Sequence, residues 1–544
     1  MSALPVRPRR ILLELDLTEM PIEQEPDDPL GRLRSRGRHR LRPTVRALHE
    51  AARDPRVVGL IARIGGALPW AGMQELRQAV RAFAAGGKPT LAWAETFGEE
   101  PGTMAGYVLA TAFDKVWLQP GGELGLLGVG VETTFVRGAL DLLGIEPQLD
   151  QRHEFKNAAD QIMRTDFTEA HRTASDRLAE SVFGWAVASI AEGRRIDAAD
   201  VRRLVDGGPY LADQALQHRL VDALGYRDQA HDAIRKRVGE CELMFADRWR
   251  PRRRPRLPGR HRGHVALVEV RGAITSGRSR RLPTGRTAGS DSVGAALRAA
   301  AADPGVRAVV LRIDSPGGSA VASETIWRDV DLLRRAKPVV VSMGGVAASG
   351  GYYIACPAHV IVAQPATVTG SIGVLGGKVV VQGLLERLGL STGTVARGEH
   401  ALMYSSRRGF DPVETERLAA ALDAVYDDFV TKVARGRGRP VADIEAVARG
   451  RVWTGGDAVD AGLVDRLGGL REAVQTARSL AGLSDRAPLR PAIHLGLLAR
   501  LGRPKNSADP RASAAAVLPG PADLAGMLEL RGIDTLRMPP IRIR

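Results

Sequence analysis

Asp303-Pro304-Gly305-Val306-Arg307-Ala308-Val309-Val310-Leu311-Arg312-Ile313-Asp314-Ser315-Pro316-Gly317-Gly318-Ser319 is the stretch that decides the fold. A turn dipeptide leads into a short, nearly continuous apolar run of β-branched and aliphatic residues, which reads as a buried strand closed by Pro and Gly. An amphipathic helix follows, and Lys337-Pro338 then opens a second strand, Val-Val-Val-Ser. Strands alternating with helices predict α/β architecture with short crossovers.

The same order occurs earlier in the chain. Asp54-Pro55 precedes the strand 56–64, and Lys88-Pro89 precedes the next one. Gly106-Tyr107 matches Gly351-Tyr352, Pro120 matches Pro365, and residues 211–225 run without a gap against 454–468. The offset drifts only from 249 to 243. One duplication at this spacing predicts two similar domains rather than a solenoid. The expected boundaries are 1–247 for the first domain, 248–264 for an Arg/Pro-rich linker, 265–480 for the second domain, and 481–544 for an Ala/Pro/Arg-rich tail. The tail holds one apolar patch at 493–501, read as a short packing or interfacial helix.

Composition narrows the classes. With 544 residues, 44% apolar and 26% charged, the chain has enough core for two to four domains and is neither disordered nor collagen-like. Two cysteines, Cys241 and Cys356, support neither a disulfide framework nor a thiolate metal site. The net charge of +15 suits nucleic acid or an anionic membrane surface. Yet the arginines are dispersed and aromatics make up only 4%, which argues against nucleic acid. No apolar run reaches the roughly eighteen residues of a membrane span and no signal peptide is found, so the expectation is a cytoplasmic or peripherally membrane-associated protein. Only eight cations are lysines, at 88, 115, 156, 236, 337, 378, 432 and 505. Arginine cannot give up its proton in a protein and lysine can, so these positions are the ones to inspect for chemistry.

The two copies are unequal. Asp314-Ser-Pro-Gly-Gly-Ser319 follows a strand, and Met343-Gly-Gly-Val-Ala-Ala-Ser349-Gly-Gly-Tyr-Tyr353 comes thirty residues later. Glycines at a strand end present backbone N–H groups, and a serine between glycines at a helix start is exposed on a sharp turn; together they suit a nucleophile beside an oxyanion hole. Alone, the same residues serve tight turns and a helix cap. In the first copy Ser349 corresponds to Met104, and on the strand offset Gly318 corresponds to Pro69, which has no N–H. Serine chemistry therefore belongs to the second copy. No histidine stands in a triad context; His359 and His400, nearest in sequence, read as surface residues. The remaining base is a lysine neutralised by burial, and Lys156 is the candidate because its counterpart is Ala401. One copy keeps the serine and the other the lysine, as complementary half-sites would.

At these residues the sequence resembles the signal peptide peptidase A (protease IV) family of the long two-domain type, over roughly 10–480. The most specific pieces are Ser315-Pro-Gly-Gly-Ser319, residues 342–352, Thr369-Gly-Ser-Ile-Gly373 and Phe155-Lys-Asn-Ala158. The resemblance implies tandem duplicated ClpP/crotonase-like domains and a serine peptidase with a Ser-Lys dyad that degrades signal peptide remnants. It makes Ser349 the nucleophile, Lys156 the general base and Ser371 the hydroxyl that positions the amine, with backbone N–H groups of Gly318 and Gly350 binding the oxyanion. It implies no metal or organic cofactor, peptide substrates, and a homo-oligomer, a tetramer by analogy. Small apolar residues such as Val346 and Ala347 around the cleft favour hydrophobic peptides in extended form. Two features depart from the family: no N-terminal membrane anchor is found, and Asp160-Gln161-Ile162-Met163 stands where Glu-Pro-Phe is usual. The rival readings are a crotonase-fold acyl-CoA enzyme and a non-catalytic scaffold on an anionic membrane surface.

Overall fold

The computed structural model describes residues 10–19, 21–23, 38–65, 69–98, 104–251, 263–282, 285–493, 536–537 and 542–543. Most of the expected linker and all but the first residue of the patch at 493–501 lie outside these residues. Two compact units result. One comprises residues 1–130 and 179–259 with the last two residues, the other 131–178 and 260–542. The expected boundary follows the duplication. The compact grouping instead places 131–178, which the sequence repeat assigns to the first copy, with the second.

The first unit is built on a six-stranded parallel sheet in the order Glu242–Phe245, Ile11–Leu17, Val57–Ile64, Thr90–Ala94, Lys115–Leu118, Ala223–Leu224. Its strands Ile11–Leu17, Val57–Ile64 and Thr90–Ala94 are almost wholly buried, as parallel strands covered on both faces must be. The second unit repeats this core. Leu489–Pro491, His264–Arg271, Val306–Ser315 and Val339–Ala348 lie side by side and parallel. Helix Ala320–Ala336 buries Ile326, Trp327, Val330 and Leu333, residues spaced to share one face, in the same core as Val309, Leu311 and Met343.

The repeat extends to single hydrogen bonds. Lys88 Nζ donates to the carbonyls of Ala51 and Asp54, and Lys337 Nζ donates to those of Ala300 and Asp303. Each lysine thus reaches back to cap the C-terminal end of an earlier helix, Leu41–Ala51 or Ser290–Ala302. Tyr107 Oη donates to the Leu220 carbonyl as Tyr352 Oη does to that of Leu463. These lysines persist in both copies for structural reasons.

The units differ in how far strand Val339–Ala348, which forks, and its counterpart Thr90–Ala94 extend. Its first half pairs with Val360–Ala363, and Val346–Ala348 pairs with Val368–Gly370. In the first unit the corresponding strand ends at Ala94, and the second branch is reduced to a single parallel bridge between Phe97 and Leu124. A two-stranded antiparallel flap, Glu146–Gln151 against Leu375–Val380, completes the second unit. Among the described residues no helix is long and apolar enough to cross a membrane.

One alignment shifts. Counted from the following helices, Trp70–Ala84 and Ala320–Ala336, Pro69 is the N-cap counterpart of Ser319 rather than of Gly318. The sequence 65–69 is therefore one residue shorter than 314–319, an irregularity that strand spacing alone cannot register.

Candidate active site

Strand Val339–Ala348 ends at Ser349, and helix Gly350–Ala355 starts immediately after it. The turn is sharp: Ser349 has φ 54° and ψ −116°, a conformation that a residue with a Cβ adopts only when its surroundings impose it. Those surroundings are the Ser349 N–H, which donates to the Gly370 carbonyl at 2.8 Å, and Gly351, where a Cβ would stand 2.8 Å from the Ser315 carbonyl oxygen. The Ser349 hydroxyl does not cap the helix. The sharp turn matches the sequence reading, but the expected exposure does not: Ser349 is 0% exposed, because the flap segment carrying Lys156 covers it.

Lys156 Nζ lies 2.7 Å from Ser349 Oγ. It also lies 3.0 Å from both the hydroxyl and the carbonyl oxygen of Ser371. Ser371 follows the forked strand Val368–Gly370 and is held at φ 50° by its N–H bond to the Arg451 carbonyl. Lys156 is 1% exposed, and this burial, with no carboxylate partner to offset it, pushes its pKa down to about 7. All three side chains belong to the second compact unit, so the contact forms within one chain.

The bonding pattern fits a neutral amine. Such an amine has two N–H groups and one lone pair. The Ser371 carbonyl can only accept, and the Ser371 hydroxyl can accept the second N–H. The lone pair is then left for the proton of the Ser349 hydroxyl.

Gly318 belongs to the two-residue strand Gly317–Gly318, which pairs with Ala273–Thr275 at Ile274. A Cβ there would fall 2.0 Å from the Ile274 carbonyl oxygen, so only glycine fits. A Cβ built on Gly350 would lie 3.2 Å from the Gly318 nitrogen, which makes the two proposed oxyanion donors neighbours. Ser319 caps the next helix through Ala322 N–H. Ala347 is buried and Val346 half-buried beside this strand end.

His359 accepts a bond from the Val339 N–H, and His400 stands 3.9 Å from Glu414; the partner of the Ser349 hydroxyl is an amine. Among the described residues His400, Asp411 and Glu414 form one group of metal-ligating dimensions. Arg408 already occupies both Glu414 oxygens, which counters the charge a cation would need.

Sequence reasoning missed the residues that seat Lys156. The Phe155 N–H donates to the Arg449 carbonyl, Arg449 forms a two-pronged pair with Glu154, and Gly450 approaches so closely that a Cβ on it would stand 2.4 Å from the Lys156 nitrogen. No motif marks Gly450; only its positive φ of 83° and this contact single it out. In the departing segment Asp160 is buried and bonds His171 Nδ1 at 3.0 Å and the Thr168 hydroxyl at 3.3 Å, which closes the turn after Lys156.

The model of peptidase family S49 matches residues 82–239 and 331–484, more than half of the chain and one region in each copy. The chain belongs to peptidase family S49. Relatives agree across most of their length. "Serine protease SPPA, chloroplastic" from Arabidopsis thaliana is 30% identical over 84% of this chain and 67% of its own, and "Protease 4" from Salmonella typhi is 33% identical over 81% and 72%. Among solved structures, a ClpP1 mutant from Listeria monocytogenes is similar to 38% of this chain over 94% of its own, at 17% identity and a TM-score of 0.25. This S49 chain is a serine peptidase with tandem α/β domains, in line with the fold class expected from the duplication.

Proposed function

We propose that the chain is an endopeptidase in which Ser349 and Lys156 form a catalytic dyad and hydrophobic peptides, signal peptide remnants among them, are cut through an acyl-enzyme. The observation that carries the reading is the 2.7 Å contact between a buried, carboxylate-free lysine amine and a serine hydroxyl held on a strained turn. Neutral Lys156 takes the Ser349 proton as the oxygen attacks the peptide carbonyl. The N–H groups of Gly318 and Gly350 receive the negative charge on the carbonyl oxygen. The ammonium then returns its proton to the leaving amine, and water, deprotonated by the same lysine, releases the acid. Ser371 positions the amine throughout and transfers no proton.

Binding of an extended peptide has support in the chain itself. Leu536–Arg537 lies antiparallel on Gly317–Gly318, with Leu536 opposite Gly318, so the strand edge bearing a proposed oxyanion donor accepts extended backbone.

The test is labelling by a fluorophosphonate probe, alongside hydrolysis of small apolar peptide esters, in wild type, Ser349→Ala and Lys156→Ala. Labelling of wild type and its loss in both variants is expected. Equal labelling of all three overturns the assignment.

A further inference from the structure

We infer that Arg451 is a positioning residue for the proposed dyad: its guanidinium, seated on Trp453, holds Phe155 and with it the segment of Lys156, while its backbone carbonyl holds Ser371. The inference rests on the peptidase reading above and names a further residue of that site.

Two supports meet in this one residue. Strand Val452–Thr454 runs antiparallel to Val368–Gly370, with Val452 opposite Gly370. One step further along this register the Ser371 N–H donates to the Arg451 carbonyl at 2.7 Å. The side chain serves the other partner of the site. Its Cζ lies 5.3 Å from the centre of the Phe155 ring and 4.5 Å from that of Trp453, and Phe155 is the residue before Lys156. The Trp453 ring is fixed in turn, because its Nε1–H donates to the Val447 carbonyl at 2.9 Å. A planar guanidinium suits such a place, since its flat faces stack on aromatic rings as a lysine ammonium cannot. Arg451 Nε is buried with no hydrogen-bond partner among the described residues, which leaves the rings to place the guanidinium. Phe155, Arg451 and Trp453 are half-buried, and Lys156 beside them is 1% exposed. Loosening the stack opens the cover of the amine from that side.

The duplicate separates framework from site. Glu123–Leu124 pairs with Tyr210–Leu211 as Val368–Gly370 pairs with Val452–Thr454, Leu211 facing Glu123 where Thr454 faces Val368. Tyr210 stands for Trp453 and makes the same bond, its hydroxyl donating to the carbonyl of Leu204, the counterpart of Val447. The ring therefore belongs to the framework. In this frame Arg451 corresponds to Gly208, where a Cβ would stand 2.3 Å from the Leu126 carbonyl oxygen, so no side chain fits. Leu126 corresponds to Ser371, and the counterparts of Phe155 and Lys156 are His400 and Ala401. The guanidinium is present with Ser349, Lys156 and Ser371 and missing from the positions that lack them, as a residue serving them would be.

The sign of the effect follows from what a side-chain substitution removes. Arg451→Met deletes the stack on Phe155 and keeps the carbonyl that accepts from Ser371. Ser371 stays in place, and the Lys156 segment loosens. Burial holds the Lys156 pKa down at about 7, so admitted water raises it, opposite in direction to the loss of an acceptor at Ser371.

The test measures kcat and KM for an apolar peptide ester against pH, with fluorophosphonate labelling and circular dichroism, in the full chain as wild type, Arg451→Met, Arg451→Lys, Phe155→Leu and the double variant Arg451→Met with Phe155→Leu. Arg451→Met should fold like wild type, lose roughly 10- to 100-fold in kcat at pH 7 with KM within about twofold, and move the inflection up by about one pH unit. Arg451→Lys keeps the charge without the plane and should behave like Arg451→Met. Phe155→Leu should give the same shift, and the double variant should lose little more than either single one, because both remove one contact. A wild-type kcat and inflection in Arg451→Met overturns the inference. Additive losses in the double variant do so too, as does an Arg451→Met chain that fails to fold, which assigns the residue to general stability. Failure of the dyad itself reads differently: Ser349→Ala and Lys156→Ala then label like wild type, whereas a failure confined to Arg451 leaves both unlabelled.

Discussion

A buried lysine whose pKa falls to about 7 fixes how the site answers to pH. Only the neutral amine can accept the Ser349 proton, so kcat/KM for an apolar peptide ester should rise tenfold per pH unit below about 7 and level off above it. Lys156→Arg keeps the charge but cannot lose its proton, and activity should drop by about 10³-fold or more at every pH, as for Ser349→Ala. Stability carries the same signature. The pKa is depressed in the folded state, so between about 7 and 10.5 the unfolded chain binds the extra proton and stability rises with pH, by up to about 1.4 kcal/mol per unit. Lys156→Met removes this dependence. Its melting temperature should exceed that of wild type near pH 7, with the gap closing toward pH 10. Ser371→Ala removes one of two acceptors that favour the cationic amine. Activity should fall by roughly 10- to 100-fold and the inflection should move to lower pH, and Ser371→Thr should restore both. At this scale the sequence was informative because burial of a lysine leaves a trace: a residue type rare in this chain, present in one copy and absent from the other. Ser371 left no such trace and came only through the family resemblance.

Among elements, the length of the forked strand Val339–Ala348 distinguishes the serine-bearing copy from its duplicate, which keeps the second branch only as the Phe97–Leu124 bridge. Both copies use the first half of that strand for their sheets; in the second copy it runs on to Ala348, and the fork delivers Ser349 and Ser371 from adjacent strands. The apolar periodicity announced a strand but not its length or the fork, because Met343-Gly-Gly-Val-Ala-Ala reads equally well as a loop. Gly450 was illegible for a related reason: what requires it is the Lys156 backbone, almost 300 residues away. Gly450→Ala must accommodate a Cβ 2.4 Å from the Lys156 nitrogen at a φ of 83°. It should cost about 2–4 kcal/mol by chemical denaturation and abolish fluorophosphonate labelling. Gly438→Ala is the control. Its φ is 63° with open space around the built Cβ, so it should cost only about 1 kcal/mol and leave labelling intact.

For the whole molecule, the repeat provides two positions for a reactive centre, and the proposed dyad uses one of them. The repeat was legible because structural lysines, tyrosines and aspartates recur at fixed offsets and perform the same bonds in both copies: Asp222 accepts from Val116 N–H and Arg194, and Asp465 accepts from Ile361 N–H and Arg437. The compact grouping was not legible, since nothing local tells residues 131–178 that they belong with the second copy. The flap pairing does so, and strand pairing between distant segments has no local signature. The asymmetry also predicts how hard the lost centre is to rebuild. Met104→Ser in a Ser349→Ala background puts a hydroxyl at the counterpart position, but Ala401 supplies no amine and the segment 65–69 is one residue shorter and does not repeat the sequence Ser315-Pro-Gly-Gly318. Such a serine keeps its ordinary, unreactive hydroxyl, because a nucleophile needs both its base and its oxyanion donors. The double variant should therefore fold and remain unlabelled by the fluorophosphonate probe at any pH between 6 and 10, a range set by the roughly 7-to-10.5 window of an amine base. Labelling there would mean that the first copy still holds a working site and that the chemistry was never confined to the second.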